Sequence, residues 1–260
     1  MGEEATTKHP SGVRIRRAGG HPRAIRVELL GSFAVRVDGV AVRLPAAAPR
    51  LVALAALHRA PVSRPRLAES LWPHLDRQGA IASLRSTLSR LRAATPQLIA
   101  PGAGEVTIAE GVSVDVWERE ELVVQVIEGG DRGARSDAII DQLIIELLPG
   151  WHDDWVMFER DRLREISMHA IEAQAAALAD DRQFACAIAA VYEAIRLDPL
   201  RESAVRTLVE IHLAEGNRAQ AVRCYLEFRH RLAAALGVDP SDEMQSLVAP
   251  LVVRSPRLEA

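Results

Sequence analysis

Between residues 155 and 240 the sequence repeats itself with a period of 34 residues. Ala170-Ile171 returns as Ala204-Val205, and Ala185, Ala187 and Ile188 return as Ala219, Ala221 and Val222. Polar turns interrupt the apolar stretches at Asp180-Asp181 and at Glu215-Gly216-Asn217. Helical side chains at i and i+4 share a face, so alanines at that spacing let two helices of one unit approach closely. A single unit cannot cover its own apolar face, and its neighbour must do so. The pattern therefore predicts stacked helical pairs.

The ending Ala194-Ile-Arg-Leu-Asp-Pro199 resembles the end of a tetratricopeptide unit, whose repeat length is 34. The second unit ends Leu236-Gly-Val-Asp-Pro240, and proline stops both. Two or three such units need caps, which helices at 155–179 and 241–253 can supply. Upstream, residues 118–128 read as one amphipathic helix, broken by Gly129-Gly-Asp-Arg-Gly133. Residues 137–148 show no deciding period. After Pro149-Gly150 comes Trp151-His-Asp-Asp-Trp155. There Asp153 or Asp154 is expected to cap the long helix, with Trp151 and Trp155 packed between domains.

The net charge of −3 conceals an asymmetry. Residues 1–118 hold 16 Lys+Arg against 10 Asp+Glu, and residues 119–260 hold 16 against 25. Between Arg14 and Arg92 stand 15 arginines and 4 acids. A basic first half and an acidic second half suggest a nucleic-acid-facing domain joined to a protein-facing one. Arginine codon bias accounts for the scarcity of lysine (Lys8 alone) but not for the difference in sign. No apolar run spans a bilayer, and the N-terminus lacks a secretory pattern. A cytoplasmic, nucleoid-associated protein without a membrane partner is expected. Cys186 and Cys224 lie in helical patterns and read as buried free thiols.

The first half has a different organisation. Residues 1–24 read as a flexible basic tail; Arg14, Arg16, Arg17 and Arg23 are solvated in one reading and touch phosphates in the other. Three short antiparallel strands follow, around Ile25/Val27/Leu29, Phe33/Val35/Val37 and Val40/Val42/Leu44, with an Asp38-Gly39 hairpin signal. Pro49 opens a buried helix from Leu51 to His58. Ser63 is an expected N-cap, with Pro65 early in a helix ending near Trp72. A third helix runs through Ala80–Arg92. After it, residues 97–100 and 106–108 alternate around Pro101-Gly-Ala-Gly104 as a hairpin, and a last strand covers residues 112–117.

In the third helix Leu84, Leu88 and Leu91 form one apolar stripe. Ser83, Ser86, Ser89 and Arg90 point away from it, Arg85 and Arg92 flank it, and no acid is present. Small residues permit close approach to a major groove, and arginine suits phosphates and guanine edges. Arg92 is equally explained as a cation at the helix C-terminus.

Three strands, three helices and a hairpin describe a winged helix-turn-helix. Arg50-Leu-Val-Ala-Leu-Ala-Ala-Leu-His, Arg66-Leu-Ala-Glu-Ser-Leu-Trp and Leu84-Arg-Ser-Thr-Leu-Ser-Arg-Leu-Arg resemble the OmpR-type DNA-binding domain of the Streptomyces antibiotic regulatory proteins. Leu147-Leu-Pro-Gly-Trp-His-Asp-Asp-Trp-Val156, Leu200-Arg-Glu-Ser-Ala204 and Ala214-Glu-Gly-Asn-Arg-Ala-Gln-Ala221 resemble the bacterial transcriptional activator domain of the same family. The resemblance covers about residues 25–253. It implies a basic tail at 1–24, a winged-helix domain at 25–118, a tetratricopeptide-like activator domain at 119–253 and a tail at 254–260. It implies a mainly α fold with a small β component. It further implies an activator that binds promoter direct repeats and recruits RNA polymerase holoenzyme, with a second protomer head-to-tail on the double-stranded DNA. It places Ser86, Ser89 and Arg90 toward base edges or neighbouring phosphates, and Arg85 and Arg92 toward phosphates. The wing departs from the family, having no basic or aromatic residue near its turn. Affinity is then expected from Ser83 and its neighbours on the third helix, from Arg50, Arg64 and Arg66, and from the tail. Larger relatives append an ATPase or phosphopeptide-binding module; the sequence runs to Ala260 and is expected to have neither. With no receiver domain ahead of the winged helix, aspartyl phosphorylation is not expected to control it.

No Gly-rich phosphate loop, HExxH, CxxC pair or GxSxG occurs. No cofactor, metal or catalytic residue is expected. Two other readings stand beside the activator: a tetratricopeptide-type scaffold or ligand sensor with weak DNA binding, and a hydrolase using His152-Asp153-Asp154.

Overall fold

A computed structural model of the chain describes residues 24–102, 104–129 and 136–252. The basic-tail arginines, the glycine break at 130–133 and the tail at 254–260 lie outside the described residues.

The chain opens with β1 (Ile25–Glu28), β2 (Ala34–Val37) and β3 (Val40–Ala41), then α1 (Ala48–His58), β4 (Val62–Ser63), α2 (Arg64–Leu71) and α3 (Arg77–Ala94). β5 (Glu105–Val106) and β6 (Val112–Val114) complete the first half. One sheet has the order β3-β2-β1-β6, with β1 antiparallel to β2 and parallel to β6. Ile25 faces Val37 and Val112 across these two ladders. The alternating valines bury one face: Val27, Val35 and Val114 are sealed against α1 and α3 in one apolar core.

Two sequence expectations change here. The last strand stops at Val114, and Asp115 begins α4 (Asp115–Ile127), so Trp117 is helical. The alternation of Val112, Val114 and Val116 fits a strand. The helix instead begins where the Asp115 carboxylate accepts N–H groups from Leu29 at 2.8 and 2.9 Å and from Leu30 at 2.9 Å. The wing hairpin forms, with Ile99 bridged to Ile108. Its returning strand β5 also pairs with β4, two residues whose strand character the sequence hid behind Pro61 and Ser63. Ser63 occupies the N-cap of α2 in an extended conformation, without a side-chain hydrogen bond to the helix.

The second half is helical: α4, then α5 (Ser136–Leu143), α6 (Asp154–Asp180), α7 (Phe184–Leu197), α8 (Glu202–Glu215), α9 (Arg218–Leu236) and α10 (Asp242–Val252). Residues 137–148 resolve into helix up to Leu143 and an extended segment in which Leu147 bridges to Leu30. Successive helices from α6 to α10 pack on one another. Repeat-equivalent positions share their environment: Ala170 and Ala204 are fully buried, as are Ala187 and Ala221, while Ala185 and Ala219 are both exposed. Gly216 and Gly237 close α8 and α9 at φ +89° and +71°, a left-handed conformation costly for other residues. Cys224 is buried as expected, but Cys186 is exposed: it lies in the first turn of α7, where Ala185 beside it is exposed as well.

The architecture is a winged helix-turn-helix followed by a tetratricopeptide-like all-α platform, mainly α with a small β component. The first core does not end with the winged helix. Leu147, Leu148, Val156 and Leu163 belong to it, and Trp151 and Trp155 pack against it. Phe33 and Trp151 lie 5.7 Å apart, and Trp155 meets Trp151 edge-on at 6.3 Å. Among the described residues no helix is long and apolar enough to cross a membrane.

Candidate nucleic-acid interface

α3 begins three residues earlier than the Arg/Ser pattern suggests, because Asp76 caps it. The Asp76 Oδ1 accepts the Gly79 N–H at 3.0 Å, satisfying one of the donors a helix start leaves free. Ala80, Leu84, Thr87, Leu88 and Leu91 face the core. Thr87 escapes the cost of burial by donating its hydroxyl to the Ser83 carbonyl at 2.8 Å.

Opposite this stripe the helix is exposed and free of acids. Ala82, Ser86, Ser89 and Ala93 make a crest of small side chains, with Arg85 and Arg90 on its shoulders, all exposed. Arg90 Nη2 donates to the Ser86 hydroxyl at 2.7 Å, holding the guanidinium across one turn of the crest. Arg77 and Gln78, also exposed, stand at the N-terminal end of α3. The sequence reading missed both because it started the helix at Ala80; the Asp76-x-x-Gly79 cap was the available signal. N-terminal residues of a recognition helix are the ones that reach base edges in helix-turn-helix modules.

The other expected residues divide. Ser83 is half-buried on the side toward Thr87. Arg92 is half-buried in the last turn of α3, and its Nη2 is sealed from water without a hydrogen-bond acceptor among the described residues. Arg66 is exposed on α2. Arg64 is held at the wing: its Nη2 donates to the Gly102 carbonyl at 2.8 Å and its backbone N–H to Gly104 at 3.1 Å. The turn therefore has no cation in its own sequence but borrows one from the start of α2. Arg50, expected at DNA, has its guanidinium engaged within the protein. Nη1 donates to the Leu71 carbonyl at 2.9 Å, and Nη2 is ion-paired with Asp153.

That pair also settles how Asp153 is used. It occupies the N-cap of α6, yet its carboxylate turns to Arg50 rather than to the helix N–H groups. His152 beside it is exposed. Among the described residues no three of His, Cys, Asp and Glu converge to hold a metal ion. Further contacts tie the start of α4 to β1 and α1: Arg26 meets Glu118 through two hydrogen bonds at 2.6 and 2.8 Å, and Trp117 Nε1 donates to the Ala56 carbonyl at 2.8 Å. Burial pushes the Asp115 carboxyl above its ordinary value, against the backbone N–H groups of Leu30 and Leu29 that hold it down.

Residues 146–251 match the bacterial transcriptional activator domain. The regulatory protein AfsR of Streptomyces griseus is 27% identical over 195 residues, covering 70% of this chain and 19% of AfsR. AfsR of Streptomyces coelicolor is 27% identical over 250 residues, covering 90% of this chain and 25% of AfsR. The chain thus spans a quarter or less of the length of these relatives. In fold it is similar to Mycobacterium tuberculosis EmbR, solved in complex with a low-affinity phosphopeptide. The TM-score is 0.71 at 21% sequence identity, over 90% of this chain and 66% of EmbR.

Proposed function

We propose that the chain, which carries a bacterial transcriptional activator domain and is similar to the regulatory protein AfsR, is a transcriptional regulator of the Streptomyces antibiotic regulatory protein family, a sequence-specific activator that reads promoter DNA with α3. One observation carries the reading: the acid-free crest of Ala82, Ser86, Ser89 and Ala93, flanked by Arg85 and Arg90, on the outer face of the third helix of a helix-turn-helix. Low side-chain bulk along the crest lets the helix backbone approach base edges, while the shoulder arginines reach guanine or phosphate. Arg64 at the wing and Arg66 on α2 add cations on neighbouring elements. The acidic helical half would be repelled by phosphates. It is therefore assigned to protein contacts: RNA polymerase holoenzyme and a second protomer, arranged head-to-tail on direct repeats. The cell compartment that follows is the cytoplasm, at the nucleoid.

The test is footprinting of the purified chain on DNA from its own gene neighbourhood, followed by anisotropy titrations of the protected site. Arg90→Ala is expected to weaken specific binding by ~1–3 kcal/mol and relax preference at one base position. Unchanged affinity and sequence preference in a folded Arg90→Ala variant would refute the assignment.

A further inference from the structure

DNA reading leaves unused a cavity of about 420 Å³ between α4, α6 and the segment after α5. Four arginines line it, Arg119, Arg160, Arg164 and Arg196, and Glu146 is the one acid among its described lining residues. Leu147, Leu163 and Leu197 give it apolar walls. Its size falls within the range of small-molecule sites. On α6 the residues Arg160, Leu163, Arg164 and Ser167 recur at helical spacing and present one continuous face.

Arg119 is the unusual member. It is 5% exposed, yet all its hydrogen-bond acceptors are neutral. Nε and Nη2 donate to the Ser167 hydroxyl at 3.1 and 2.7 Å, Nη1 to the Ile145 carbonyl at 2.5 Å, and Nη2 also to the Leu143 carbonyl. Among the described residues no carboxylate forms an ion pair with it. Burial pushes its guanidinium down to about 10, which still leaves a cation at neutral pH. The Asp115 carboxylate, one turn back on α4, acts on it through space without a hydrogen bond; a buried guanidinium hydrogen-bonded only to neutral groups is a costly arrangement that a second opposite charge relieves. One of the two Nη1 N–H groups is not used by Ile145 and can serve a ligand.

The surrounding arginines differ in how firmly they are held. Arg160 is fixed by Glu146 at 3.1 Å and by the carbonyls of Leu148 and Trp151 at 2.8 and 3.2 Å. Arg196 is paired with Glu193 at 2.7 Å. Arg164 is exposed.

We propose that this cavity binds a small amphipathic anion, a carboxylate or phosphate monoester on an apolar skeleton. Its head lies against Arg119 and Arg164, and its body against Leu147, Leu163 and Leu197. The occupant would touch the segment that ties the halves together: Leu148 donates its N–H to Leu29 at 2.9 Å, and Gly31 donates to Glu146 at 2.8 Å.

The experiment is calorimetric titration of the full chain, without DNA, with octanoate, octyl phosphate and, as the neutral control, octanol. At least one anion is expected to bind saturably at one site, ten-fold or more tighter than octanol, and the better of the two identifies the head group. Arg164→Gln, on an exposed residue, is expected to lower that affinity at least ten-fold while leaving the melting temperature of the free protein unchanged. Absence of saturable binding by both anions, binding no tighter than octanol, or binding indifferent to Arg164→Gln would each overturn the proposal. Because no DNA is present, failure of the promoter-reading assignment leaves this outcome interpretable.

Discussion

Replacing Asp115 with alanine removes the acceptor that joins the end of β1 to the start of α4. The carboxylate takes the Leu29 N–H on both oxygens, at 2.9 and 2.8 Å, and the Leu30 N–H at 2.9 Å. Leu29 is fully buried and Leu30 partly so, so the variant leaves two donors with little water to replace the carboxylate. Each orphaned buried donor costs about 1–3 kcal/mol. Relief of the buried carboxylate's own desolvation returns part of this, for a net loss of roughly 2–4 kcal/mol. Equilibrium urea unfolding of the full chain at neutral pH measures it. A second, signed expectation comes from titration. Burial raises the Asp115 carboxyl above 3.8, so in that window the folded state binds more proton than the unfolded state. Its contribution to stability therefore falls as pH rises from about 3.8 through the raised folded value. Asp115→Asn does not titrate, so its deficit relative to the natural chain should narrow as pH rises across this window. A loss below about 0.5 kcal/mol for Asp115→Ala, or a deficit that widens with pH, would refute the reasoning.

Three further expectations concern the candidate interface and its supports. Arg50 and Asp153, side chains only 36% and 19% exposed, should show about 1 kcal/mol of coupling in a double-mutant cycle of urea stabilities. Arg50→Ala should leave the salt dependence of DNA binding unaltered, whereas Arg85→Ala should reduce its slope by about one; equal slope changes would return Arg50 to the DNA surface. Asp76→Ala should destabilise the protein by about 1 kcal/mol through loss of the α3 cap, with Asp76→Asn largely retaining stability; thermal melts that rank the two variants equally would show that the cap contributes nothing.

How far each part was legible follows from the range of the interactions involved. The crest of α3 could be read because a helix fixes which residues share a face: Leu84, Leu88 and Leu91 are buried, and Ser86, Ser89 and Arg90 are exposed. Ser83 slipped to the half-buried shoulder, since Thr87, polar in sequence, is buried beside it and uses the Ser83 carbonyl. Arg77 and Gln78 were lost with the helix start, which depends on one capping hydrogen bond. The valines at 112–116 misled because a short alternation is shared by a strand and by the first turn of a buried helix. The choice between them rests on Leu29 and Leu30, more than eighty residues away.

By itself the sequence determined the local periods: strands, then helices, then paired helices every 34 residues, with basic charge in the first half and acidic in the second. Those are properties of neighbours along the chain, set by backbone geometry and apolar spacing. Only the tertiary structure decided which charges are spent. Arg50 pairs with Asp153, Arg64 anchors the wing turn, and Arg119 is buried against carbonyls, while Arg85 and Arg90 remain at the surface. All are arginines in helices or at their starts, and nothing local distinguishes them. Their roles differ because partners 24 to 103 residues distant in sequence fold against some and not others, and a guanidinium meets whatever acceptor the packing places within its reach.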